Sequence, residues 1–168
     1  YLTTAFVVGG VGALYLLNKR HVPQARIMLG MATIMAALVA PTPLVIGDLH
    51  GKNTMEYQPA KIAAMEGNWE HTTDAPLYLF GMPNQEEEVT KYGITIPDGA
   101  SWVLTESPDG EIPNLKSFAK EDLPPVAWVF WSFRVMVGLG ILMIFTGAVS
   151  SYAYLRNKLF QHSWIHKL

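Results

Sequence analysis

The sequence predicts an all-α integral membrane protein segment: a transmembrane helix bundle of three spans with a large extracytoplasmic loop containing short helices. Three observations carry this. Long apolar runs alternate with polar stretches, half of the 168 residues being hydrophobic. Charged residues make up 15%, against about 25% in ordinary soluble domains. The charges are also segregated: all fourteen acidic residues lie between Asp48 and Asp122, with five of the twelve basic ones. That leaves the middle at −9 and the flanks at +7 beneath a net charge of −2.

The elements follow in order. Residues 1–17 are apolar throughout, with Gly9, Gly10 and Gly12 among them, and read as a transmembrane helix truncated at its start. The chain opens on Tyr1 inside that run, so it reads as a piece of a longer protein. Residues 18–25 form a polar, basic turn containing Pro23. Residues 26–46 form the second span, uncharged from Ile27 onward, and residues 125–155 the third, with one charge. A crossing needs ~20 apolar residues at ~1.5 Å rise, which the second and third runs supply. A soluble helical bundle would place polar residues every third or fourth position, and these runs do not.

The short turn holds Lys19, Arg20 and Arg26, and the segment 156–168 holds Arg156, Lys158 and Lys167. Two crossings separate these basic regions, so both face the cytoplasm, and the acidic loop 47–124 faces the periplasm. A loop this long is expected to be functional or separately folded. Pro59 to Met65 reads as a short helix with proline in its first turn and Gly67 as its stop. Ile62, Met65 and Trp69 give it one apolar face. Gly81-Met82-Pro83-Asn84 reads as a turn, with Asn84 and Glu87 as a capping box and Glu86-Glu87-Glu88 as a solvated helix start. Alternation from Tyr92 to Leu104 is strand-like but interrupted at Pro97-Asp98-Gly99, and Ser107-Pro108-Asp109-Gly110 is a turn.

Arg134, about eight residues into the third span, is the strongest anomaly. An arginine at mid-span costs at least ~2.5 kcal/mol, so we read it as holding an anion inside the protein, a carboxylate or a haem propionate. Snorkelling to the interface is the alternative. Met136 follows, then Gly138 and Gly140. A thioether can be an axial haem ligand, although from the residues alone packing is its ordinary role. Gln58, Lys61 and Glu66 place an amide, an ammonium and a carboxylate along one short helix. Quinol oxidation needs such a base and donors, yet by spacing alone an exposed helix with ordinary charges is the commoner reading. His162 and His166 have metal-ligand spacing but sit among terminal cations, which favours an interfacial role. The absence of cysteine excludes a disulfide framework and thiolate metal sites. No phosphate loop, nucleophile triad or nucleic-acid footprint is present.

Four motifs together resemble subunit I of cytochrome bd-type ubiquinol oxidases. They are Gly47-Asp48 with Gly51; Gln58-Pro59 with Lys61, Ala63, Ala64 and Glu66; Gly81, Pro83 and Gln85-Glu86-Glu87-Glu88; and Phe133-Arg134 with Met136-Val137-Gly138. The run Tyr1-Leu2-Thr3-Thr4-Ala5 also resembles the helix just after that family's histidine ligand. The resemblance implies a quinol:oxygen oxidoreductase of the respiratory chain in the bacterial inner membrane. Loop 47–124 would bind quinol, of the short variety, with Lys61, Glu66 and Glu88 as its catalytic group and Gln58 beside them. Met136 would ligate the iron of a low-spin haem b, and Arg134 would stabilise that haem. High-spin haem b and haem d, or a further haem b, are implied for the rest of the subunit. Membrane lipid, ubiquinol, a second large oxidase subunit and small accessory subunits are the implied partners, with no nucleic acid. A membrane sensor or scaffold with a folded outer loop, or a transporter segment, is the competing reading. Either would bind no haem.

Overall fold

The computed structural model describes residues 1–160; His162, His166 and Lys167 lie outside the described residues. The chain divides into two compact units, Tyr1–Val45 with the residues from Leu139 onward, and Ile46–Gly138.

In the first unit, helix α1 spans Leu2–Leu17 and helix α2 spans Val22–Val39. They are joined by a tight turn in which Lys19 and His21 adopt positive φ. Pro23 falls in the first turn of α2, where its missing N–H costs nothing. The two helices approach closely because small residues line the contact. A Cβ added at Gly12 would lie 3.1 Å from the Ala25 carbonyl oxygen and the Leu29 nitrogen. Ala13, Leu29, Ala153 and Leu159 form the core of this unit, with Leu16 and Phe160 against it.

Helix α3, Thr42–Tyr57, follows α2 after a break at Pro41, and Thr42 Oγ1 donates to the Val39 carbonyl at 2.8 Å across it. It extends well beyond Ile46, the expected end of the second span. Helix α4 is Pro59–Glu66, ended by Gly67 in the left-handed conformation (φ 68°), as the sequence predicts. Strands β1, Leu77–Asn84, and β2, Val89–Ile96, pair antiparallel with irregular register. Helix α5 covers Gly99–Thr105, short 3₁₀ turns follow at Leu115–Ser117 and Lys120–Asp122, and helix α6 runs Val126–Leu155.

The loop therefore holds a β-hairpin as well as the expected short helices; its second strand overlaps the strand-like stretch read from Tyr92, and its first was not expected. Gly81 to Asn84 is strand, not turn; the turn is Gln85–Glu88. The expected Asn84–Glu87 contact forms, but within that hairpin. Asn84 Oδ1 accepts from the Glu86 and Glu87 N–H groups at 3.0 and 3.2 Å, and Asn84 Nδ2 donates to Glu87 at 3.1 Å. Asparagine mimics a backbone turn in this way. Glu86-Glu87-Glu88 accordingly begins no helix. The strand-like stretch after Tyr92 ends at Ile96, and Asp98 starts α5 instead.

Two clusters form the core of the second unit. Ile62, Ala75, Ala100, Leu104 and Ile112 make one; Ala63, Ala64, Trp69, Leu115 and Val126 make the other. Both centre on α4, whose paired alanines admit the Trp69 ring and the start of α6. Among the described residues, two helical stretches are long and apolar enough to cross a membrane, Val22–Tyr57 and Lys120–Leu155, while Leu2–Leu17 is apolar but shorter.

Candidate functional site

Arg134 and Glu66 meet in the interior of the second unit. Helix α4 turns Glu66 inward at its last position, and α6 brings Arg134 to it. Their side chains are 10% and 7% exposed, with Arg134 Nη2 3.6 Å from Glu66 Oε2. That separation makes an ion pair but not a hydrogen bond. Both facing atoms lack any hydrogen-bond partner. The rest of the guanidinium is held by backbone: Nε donates to the Tyr78 carbonyl at 2.9 Å and Nη1 to the carbonyls of Met65 and Phe130. The anion the sequence demands for Arg134 is thus a carboxylate of the loop.

Burial pushes the Glu66 carboxyl above the usual carboxylate range, and the Arg134 charge opposes that shift only in part. Phe130 lies one helical turn before Arg134, is fully buried, and presents its ring 3.5 Å from the guanidinium carbon. This is cation–π geometry in a desolvated setting. Beneath the ring sits Gly67, where an added Cβ would come within 2.9 Å of Phe130. Gly81 is crowded by Thr90 at 2.7 Å in the same way, which accounts for glycine in that motif. Thr90 Oγ1 donates to the Gly67 carbonyl at 2.9 Å and accepts from Trp69 Nε1 at 3.1 Å. None of Phe130, Thr90 and Trp69 stands out in the sequence as a site residue; Phe130, four residues before Arg134 and so on its helix face, carried the one available signal.

The remaining candidates lie apart from this pair. Lys61 is exposed on α4 and forms no ion pair among the described residues. Gln58 is the exposed N-cap of α4, and its side chain makes no capping bond. Glu88 accepts from Lys120 at 2.7 Å, and that bond holds its carboxyl below the usual range. The Glu88–Lys120 pair borders a small cavity of about 80 Å³ with Trp69, Gln85, Lys116 and Phe118. Asp48 binds Lys52 at 3.1 Å, and Lys52 also binds Glu106, tying α3 to the end of α5.

Met136 is 61% exposed on α6, and no atom lies within 4 Å of a Cβ added at Gly138 or Gly140. Gly140, four residues on and about 40° around the helix, leaves bare backbone beside the thioether, which fits the approach of a flat macrocycle, whereas Gly138 lies on the opposite face. Two residues separate Arg134 from Met136, about 200° around the helix, so the arginine and the thioether leave α6 on opposite faces. One face meets the loop carboxylate and the other stays open.

Known proteins match this arrangement over the whole chain. The family model for cytochrome bd terminal oxidase subunit I matches residues 1–168. Cytochrome bd ubiquinol oxidase subunit 1 of Bacillus subtilis (strain 168) is 31% identical over 172 residues, covering 96% of this chain and 37% of that protein. Cytochrome bd-II ubiquinol oxidase subunit 1 of Escherichia coli (strain K12) is 24% identical over 234 residues, covering 100% of this chain and 46% of that protein. The latter alignment is far longer than the chain, so that relative carries segments with no counterpart here. The solved structure of bd oxidase from Geobacillus thermodenitrificans superposes with a TM-score of 0.88 at 29% identity, over 99% of this chain and 38% of that one. The chain spans less than half the length of each of these relatives. With its four motifs, its backbone course and its full length inside one family pattern, the chain belongs to the cytochrome bd terminal oxidase subunit I family.

Proposed function

We propose that this chain is the quinol-oxidising, low-spin-haem segment of a bd-type terminal oxidase in a bacterial cytoplasmic membrane. The observation that carries the reading is the buried Glu66–Arg134 pair, which joins the loop's short helix to the helix bearing Met136. Oxidising a quinol to a quinone releases two protons and two electrons, so a base and an electron acceptor must serve one substrate. Glu66 is the base: burial raises its proton affinity above that of an ordinary carboxylate, which suits it to accept a hydroxyl proton. Lys61 and Gln58, exposed on the same helix, donate hydrogen bonds to the quinol oxygens. Glu88, ionised by Lys120, completes the acidic exit for protons from the loop.

Met136 would hold the iron of a low-spin haem b. When bound, that haem supplies one-electron acceptor chemistry, and a thioether ligand raises its potential. Arg134, two residues before Met136, would stabilise that haem through its positive charge. Residues 1–17, 26–46 and 125–155 are the spans, with the loop 47–124 on the periplasmic side. The remainder of the subunit would hold the high-spin haem b and haem d (or a further haem b), which would supply the oxygen-reducing chemistry. A second large subunit and small accessory subunits complete the assembly. Protons released outside and taken up inside then contribute to the proton gradient.

The test is a dithionite-reduced minus air-oxidised spectrum of membranes carrying the full-length parent, as wild type and as Met136→Leu. Loss of the low-spin b band in the variant alone, with normal membrane insertion, is the expected outcome. No b band in the wild type would remove the oxidase reading, and a band unchanged in the variant would remove the ligand assignment.

A further inference from the structure

Among the described residues, Phe130 is a fully buried aromatic ring that lies against the Arg134 guanidinium of the Glu66–Arg134 pair. We propose that Phe130 is a positioning residue for the loop base: clamped between Gly67 and the guanidinium, its ring keeps Arg134 facing Glu66. The inference rests on the reading of Glu66 as that base.

Three facts converge on it. The guanidinium spends Nε and Nη1 on the carbonyls of Tyr78, Met65 and Phe130, which leaves Nη2 alone directed at the carboxylate. Those carbonyls fix the guanidinium at its edge, and the Phe130 ring at 3.5 Å bounds it on one face. The ring in turn cannot withdraw, because the left-handed turn at Gly67 fills the space beneath it and the Tyr78 ring packs edge-on at 6.5 Å. Removing the ring leaves every hydrogen-bonding group in place but frees the guanidinium to tilt away from Glu66.

Arg134 from α6 is the charge that acts on Glu66. The neighbouring strands present no competing charge to the pair: β1 offers the Tyr78 carbonyl, and β2 offers the Thr90 hydroxyl to Gly67. On α3, Asp48 and Lys52 are engaged with each other and with Glu106, and on α4 Lys61 is exposed. A shift in the proton affinity of Glu66 therefore reports on the position of Arg134.

The experiment is an infrared pH titration of the carboxyl C=O stretch in the full-length oxidase without quinol, with the Glu66 band assigned by its loss in Glu66→Gln. In Phe130→Leu the midpoint should move up by about one pH unit, since an opposite charge lowers a carboxyl by about that much or more. Phe130→Trp, which restores an aromatic face, should return the midpoint towards wild type. The low-spin haem spectrum of each variant shows that the protein is assembled. An unchanged midpoint in assembled Phe130→Leu overturns the proposal, as does a wild-type carboxyl that stays protonated throughout. The underlying reading fails separately, by full quinol oxidase turnover in Glu66→Gln.

Discussion

A carboxylate and a guanidinium that face each other at 3.6 Å without a hydrogen bond form a pair held short of full contact. Each is desolvated, and neither is fully compensated, so breaking the pair leaves a charge stranded in the interior. Such a base also has a defined pH signature. Glu66 must be ionised to accept a proton, and burial places its ionisation above the ordinary carboxylate value. Quinol oxidation should therefore rise with pH through an acid limb lying above about 4.3, the unperturbed glutamate value. Glu66→Ala should abolish that turnover with the haem spectrum retained. Steady-state oxidase assays across pH check both, and undiminished turnover in Glu66→Ala would exclude the base. At this scale the need of Arg134 for an anion was legible, because an intramembrane arginine is costly. Its partner was not. Glu66 and Arg134 are far apart in sequence, and no spacing rule couples an eight-residue loop helix to a span.

At the level of elements, α4 is the hub of the loop. Its start at Pro59 and its stop at Gly67 were readable, since proline and glycine act there through local backbone preferences. The hairpin was only half readable: the alternation from Tyr92 marks the end of β2, but in β1 Gly81 and Pro83 read as a turn, although a two-stranded sheet has free edges on which proline is tolerated. What binds the hairpin to α4 is tertiary: Thr90, between the Trp69 indole and the Gly67 carbonyl. Thr90→Val should leave the indole N–H unpaired and destabilise the loop by about 1–3 kcal/mol. Limited proteolysis of the detergent-solubilised parent would register this as faster cleavage within residues 67–96; an unchanged cleavage rate would show that the hydroxyl adds nothing.

For the whole molecule, the segregation of charge was the most informative property of the sequence. It needs no knowledge of contacts, only of where acids and bases fall along the chain. Because the chain contains no cysteine, single thiols can be placed at will. With the parent's other cysteines accounted for, Glu86→Cys should react with a membrane-impermeant thiol reagent added to intact cells, and Lys19→Cys only after the membrane is opened. The reverse pattern would invert the topology. Helix boundaries were less legible than charge: α3 continues beyond Ile46 through polar residues and two glycines of low helix propensity, where Lys52 ties it to Glu106, and hydropathy reports only apolar runs.

The burial of Glu66 against a residue of α6 also sets an order of events during synthesis. Helix α4 leaves the ribosome well before Arg134, Val126 and Phe130 exist, yet those three residues supply its countercharge and close the core around it. Until α6 has been made, Glu66 has only water for company, and the cluster of Ala63, Ala64, Trp69 and Leu115 lacks its lid. The loop can emerge as a nascent, solvated segment, but it matures only when α6 is threaded. Chains that stall before α6 are left with an unfinished domain, a form that quality-control proteases can recognise.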